Sequence, residues 1–225
     1  MSEPGIVDGH APDPAHPPGP ELRRLSDAIR LVIECMVHTA ASPATLTTAA
    51  ETIERVGGKL RADTPPWKPS LPAMVSRNAG PHEIFPFDPV VGPYNPIAPP
   101  VDVEVRDGVA YANAVLGAPY EGPPGCVHGG IVAAIFDMVL GIANIAAGVG
   151  AMTGTLEIVY RSPTPLNTEL QIEARHERIE GRKVYTVGTI HAGERLCAEA
   201  RGTFIQVAQD RFLQHAREHG DPSRR

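Results

Sequence analysis

Cysteine is scarce in this chain. The three present, Cys35, Cys126 and Cys197, are far apart, odd in number and never in a C-x-x-C pair. That fits a reducing compartment better than a disulfide framework. Basic charge is also short: 20 Lys and Arg against 26 Asp and Glu leave a net charge of -6, which gives no sign of a nucleic-acid partner. An anionic ligand would need a local basic patch. No phosphate-binding glycine loop follows a strand, and no His, Cys, Asp or Glu cluster has metal-ligand spacing, so neither a metal nor a bound cofactor is expected. The first twenty residues hold no Lys or Arg, so neither a secretory leader nor an organelle-import segment is expected, and the cytoplasm is the expected location.

Proline, by contrast, is abundant. There are 24 in 225 residues, about twice the usual share, concentrated before residue 125. Residues 1–20 read as a disordered arm. Leu22, Leu25, Ile29, Val32, Ile33 and Met36 then recur at helical spacing, and Ser42-Pro43 caps a second helix that Gly57-Gly58 should end. Together these make a helical extension over 21–62, whose apolar stripes must pack on the sheet or on a partner. Residues 63–100, with Trp67 and repeated prolines, read as an extended strap with little hydrogen bonding of its own. Phe85, Phe87 and Tyr94 within it either line a channel or anchor the loop.

From residue 101 the pattern changes. Val101 to Arg106 and Val109 to Val115 alternate around Asp107-Gly108, a hairpin signature. Four more strand-like runs follow residue 150: Gly150 to Arg161, Thr168 to Ile179, Lys183 to Ala192 and Leu196 to Val207. Between the two sets lies EGPPGCVHGGIVAAIFDMVLGIANIAAGVGAMTGT, Glu121 to Thr155, with about twenty almost wholly apolar residues. Its length would suit a membrane span, but Asp137 in its middle and the glycines near its end favour a buried helix from near His128 to Gly148 or Gly150. The expected fold is α+β, a long antiparallel sheet curled around one central helix over 101–208, with a tail over 209–225 that holds a short polar helix at 211–219.

Gly129 and Gly130 would sit in the first helical turn, where backbone N–H groups lack partners and no side chain keeps a ligand away. A carbonyl oxygen gaining negative charge fits there. Asp137 lies nine residues after His128, about 13 Å along a helix and half a turn out of phase. One copy cannot bring both groups to one atom, so if both serve one reaction a second copy supplies one of them, as in a symmetric dimer. The bland alternative is an acid that hydrogen-bonds a neighbour and only shapes the core. Cys126 could be imagined as a nucleophile, although a cysteine pointing away in a tight loop is the commoner case. Asn144, seven residues after Asp137, could bond across a dimer or simply satisfy a buried amide.

EGPPGCVHGGIVAAIFD, then MTGTLEIVYRSPTPL and IEGRKVY, resembles the hotdog-fold acyl-CoA thioesterases, the PaaI-like group and the similar animal thioesterase-superfamily members four and five, over about Val101 to Val207. The resemblance implies an acyl-CoA thioesterase with Asp137 as the catalytic acid, Gly129 or Gly130 as the helix-start glycine, His128 as the family's histidine and Thr153 as the hydroxyl supporting the acid. It implies coenzyme A as part of the substrate, no other cofactor, and a homodimer or a tetramer. Many PaaI-like enzymes carry Asn or Gln six residues before the histidine; Gly122 stands there and joins Asn144, Arg161, Arg182 and Lys183 as candidate substrate-binding positions. A non-catalytic acyl-CoA-binding or regulatory hotdog protein is the alternative. It would not need Asp137.

Overall fold

The computed structural model describes residues 19–64 and 80–207. In chain order the helices and strands are α1 (Pro20–Met36), α2 (Pro43–Ala62), the one-turn α3 (Pro81–Ile84), β1 (Val101–Arg106), β2 (Val109–Val115), α4 (Gly129–Ala146), β3 (Ala151–Tyr160), β4 (Glu169–Glu180), β5 (Lys183–Ala192) and β6 (Arg195–Gln206). The six strands form one antiparallel sheet in the order β1-β2-β4-β5-β6-β3. Two-residue turns join β1 to β2, β4 to β5 and β5 to β6; at the first, Asp107 and Gly108 both take positive φ, which matches the twist of the flanking strands.

α4 touches all six strands. Its residues Val132, Ile135, Phe136, Val139, Leu140 and Ala143 are buried against the inward row of each strand, among them Leu170, Ile172, Val184, Ile190, Ala198 and Phe204. Alternation places those rows on one face. Each large apolar side chain buried there is worth roughly 1.5–3 kcal/mol. The helix is apolar enough to cross a membrane by length and composition, but here that apolar face is the core of the sheet. This is the α+β hotdog arrangement expected.

The two sheet edges differ. β1 is overlaid by α3, whose His82 Nε2 lies 2.8 Å from Asp102 Oδ1. Among the described residues β3 carries no further strand, and Met152, Val159 and Tyr160 on it are exposed.

Three expectations change outside the sheet. α2 runs through Gly57-Gly58 to Ala62 rather than ending there, because glycine costs a helix about 1 kcal/mol without forbidding it, while Lys59 and Arg61 favour the last turn. Residues 80–100 are not a bare strap. They form linked turns, with Gly92 N–H donating to Asp88 O, Asn95 N–H to Gly92 O and Ala98 N–H to Asn95 O, while Asp88 Oδ1 accepts from the Val90 and Val91 amides. Finally, α1 is fastened by a cation as well as by the part of its apolar stripe, Leu22, Leu25 and Ile33, that is half-buried. Arg30 donates to the carbonyls of Asn95 and Ala98 at 2.7 and 3.2 Å, while Ile29, Val32 and Met36 stay exposed. No residue of α2 is buried. Phe85 packs onto the core and Phe87 meets Tyr94 at 6.0 Å between ring centres, so these rings act as loop anchors. The arm, Trp67 and the C-terminal helix lie outside the described residues.

Candidate functional site

The loop entering α4 is tied on both flanks. Val127 N–H donates to Thr164 O and His128 N–H to Tyr120 O, each at 2.8 Å, and Leu166 N–H donates to Gly125 O at 3.0 Å. Tyr120 is itself half-buried beside α1. Burial raises its phenol pKa, which nearby Arg30 lowers and Glu34 raises further. Its hydroxyl donates to Ala98 O, a carbonyl also held by Arg30. The N-terminal helix thus supports the loop that presents His128.

His128 is the N-cap of α4, in extended backbone conformation, with its Nδ1 accepting from Gly130 N–H at 2.9 Å. That engages one of the two candidate donors. The Gly129 N–H, first in the helix, has no acceptor among the described residues. On the other side of the same residue, Gly129 O accepts from the Tyr160 hydroxyl at 2.8 Å. Sequence reasoning assigned Tyr160 no role. The signal was present: with Leu156 and Ile158 it alternates along β3, which puts it on the helix side of the sheet.

Asp137 is half-buried on α4, and Thr153 Oγ1 donates to its Oδ1 at 2.7 Å. Simple alternation back from Tyr160 would turn residue 154, not 153, toward the helix. A bulge between Thr153 and Thr155 shifts the phase, so that Thr153 pairs with Phe204 on the inner face. β3 therefore holds both parts of the candidate site, Asp137 near its start and the Gly129 turn at its end. Between Thr153 and Tyr160 the strand runs about 20 Å. The single chain keeps the acid and the open amide apart, as the helical spacing requires.

The remaining candidates fall in three places. Gly122 packs so tightly that a Cβ added to it would lie 2.7 Å from His128 Cα, so this position is glycine for close approach and carries no polar group toward the site. Asn144 sits near the other end of α4, buried, its Oδ1 accepting from Thr186 Oγ1 and facing His176 Nδ1 at 3.3 Å, with its Nδ2 unpartnered. It faces the sheet, not the helix start. Arg161, next to Tyr160, is paired with Glu199 through both Nη2 and Nε. Arg182 and Lys183 lie at the β4–β5 turn, where Arg182 donates to Gln206 O at 3.2 Å, near the end of the sheet where β3 starts. Cys126 has its backbone in the same tight loop, its N–H on Pro123 O at 2.9 Å.

Comparison with known proteins gives the arrangement its context. The thioesterase superfamily matches residues 124–201. A crystal structure of a thioesterase superfamily protein is 37% identical, with a TM-score of 0.75 over 84% of this chain and 97% of the other. Acyl-coenzyme A thioesterase THEM4 of Xenopus laevis is 40% identical over 92 residues, 40% of this chain and 41% of the relative. Acyl-coenzyme A thioesterase THEM5 of Homo sapiens is 30% identical over 93 residues, 40% of this chain and 38% of the relative. The chain thus matches about two fifths of the length of these curated relatives.

Proposed function

The chain belongs to the thioesterase superfamily, and from that premise we propose that it hydrolyses acyl-coenzyme A to the free acid and coenzyme A at a site shared by two copies. One observation carries the reading. β3 bonds Asp137 through Thr153 at one end and the Gly129 turn through Tyr160 at the other. Two copies of this free edge pairing antiparallel about its middle would set Thr153 beside Tyr160 of the second copy, and so bring each Asp137 to the other chain's open Gly129 amide. A ten-residue strand without Lys or Pro, paired with β6 on one side only, favours such pairing, since exposed edges are templates for another strand. The same pairing moves each Arg161 toward the partner's Arg182 and Lys183, three cations for the phosphates of coenzyme A. The names of the THEM4 and THEM5 relatives support the substrate class.

In the proposed reaction the thioester carbonyl oxygen lies at Gly129 N–H, at the positive end of α4. Asp137 of the second copy takes a proton from water as the water oxygen attacks the carbonyl carbon, and the tetrahedral adduct then breaks its C–S bond; in the direct route the carboxylate attacks, the C–S bond breaks as the anhydride forms, and water then opens the anhydride. In both routes the coenzyme A thiolate leaves and is protonated. One such amide donor is worth roughly 3 kcal/mol, and a positioned base about 100-fold or more in rate. Thr153 holds the carboxylate in place.

The test is hydrolysis of a panel of aliphatic and aryl acyl-CoA thioesters, followed by subunit mixing. Asp137→Asn and Gly129→Pro chains, each inactive alone, should on re-association recover about one quarter of the wild-type sites, because half the dimers are mixed and each mixed dimer holds one intact site. No recovery from mixed dimers would place the acid and the amide in one chain. No hydrolysis by the wild type across the panel would leave acyl-CoA binding as the function.

A further inference from the structure

Tyr160 sits half-exposed at the end of β3, and an edge-strand aromatic there needs no function. What sets it apart is the atom it meets. Its hydroxyl donates to Gly129 O at 2.8 Å, and that carbonyl shares a peptide unit with Gly130 N–H, which donates to His128 Nδ1 at 2.9 Å. Because a backbone N–H can only donate, the neutral His128 ring must carry its proton on Nε2. The phenol, the peptide and the imidazole form one relay in which each bond polarises the next.

We propose that Tyr160 is a positioning residue of this site: by holding the Gly129–Gly130 peptide it fixes the backbone of Gly129, whose own N–H lies in the preceding peptide unit, and holds His128 as an Nε2–H donor. The proposal rests on the reading of this turn as the thioester site. Two glycines in succession have no side chains to fix their peptide planes, and glycine is the residue with the most backbone freedom. A hydroxyl bonded to the carbonyl between them supplies that restraint from a rigid strand. The ring adds a wall: an alanine Cβ at residue 129 would come within 3.3 Å of the Tyr160 oxygen. Since Thr153 on the same strand holds Asp137, β3 sets the direction of both groups that the reaction would use.

Tyr160→Phe in the full chain keeps the ring and removes only the hydroxyl. It should lower kcat about ten-fold with KM within about two-fold, as loss of alignment rather than of binding. In the substrate-free protein, nitrogen-15 NMR should show the Gly130 amide and His128 Nδ1 signals shifted, with core amides such as those of Phe136 and Leu140 unmoved. Wild-type kcat in Tyr160→Phe, or unshifted Gly130 and His128 signals, would overturn the proposal. If the wild type hydrolyses no thioester, the functional reading fails, while the NMR comparison still decides whether Tyr160 acts on His128.

Discussion

Asp137→Asn is the substitution that best separates chemistry from architecture. Asparagine has the same shape, and its Oδ1 can still accept from Thr153 Oγ1 as the aspartate does at 2.7 Å. What disappears is the charge and the ability to take a proton. For stability, the bond falls from the charge-assisted to the neutral class, a loss of about 1 kcal/mol, or about 2–4 °C in Tm for a chain of this size. For activity, losing the base costs about 100- to 10,000-fold, roughly 3–5.5 kcal/mol of barrier. The two losses differ by enough to be told apart. Steady-state hydrolysis, thermal melting and sedimentation on the same preparation should give a soluble protein in its wild-type oligomeric state with kcat down at least 100-fold. A variant within ten-fold of wild-type kcat would remove Asp137 from the chemistry, and one that melts far lower or dissociates would make the acid an architectural group.

Thr153→Val keeps the β-branched shape but removes the donor to Asp137; in the single chain Thr153 is exposed and Asp137 half-buried, so the loss should fall at the low end for a charged hydrogen bond, about ten-fold in kcat, and unchanged kinetics would mean the carboxylate is held otherwise. Gly122→Asn would install the amide that many PaaI-like enzymes carry, yet its Cβ would meet His128 Cα at 2.7 Å; melting and kcat should both fall, with about 1–3 kcal/mol of strain, and a gain in activity would contradict the packing. Tyr120 has its pKa raised chiefly by burial, so its neutral form contributes stability that is present below about pH 10 and lost as the pH rises through the folded-state value. Tyr120→Phe should therefore flatten the alkaline limb of a urea-stability profile, and an unaltered limb would assign alkaline unfolding elsewhere.

The sheet could be read from the residues almost to the residue. β1, β2 and β5 begin and end where alternation and turn residues place them, because strand faces and two-residue glycine turns are local properties of the chain. The helix-start glycines, Asp137 and Thr153 were legible from spacing and resemblance for a related reason: they lie in one contiguous motif. The links that hold them were not. Arg30 reaches carbonyls more than sixty residues away, and nothing in α1's own pattern marks it as a clamp. The orientation of Thr153 depends on a bulge that puts two residues of β3 opposite one of β6, which period-two reading cannot register. Proline misled in the other direction, since a run poor in amide donors can still make ordered turns when Asp88 and Asn95 side chains close them.

The central helix itself argues for a second copy. Only eight of its eighteen residues are buried in the single chain, although it is apolar nearly all round, and a helix of that kind is ordinarily covered all round. Ile131, Met138, Gly141 and Ile145 remain half-exposed, as does Asp137. In the proposed pairing of β3 edges the two-fold axis stands perpendicular to the sheet, so both α4 helices lie on the same side and face each other across it. The surface that would complete α4 is then another α4, and the acid in its middle is drawn out of water only when the neighbouring helix start is present. The same assembly step would bury the apolar flank, close the strand edge and bring the carboxylate to the amide.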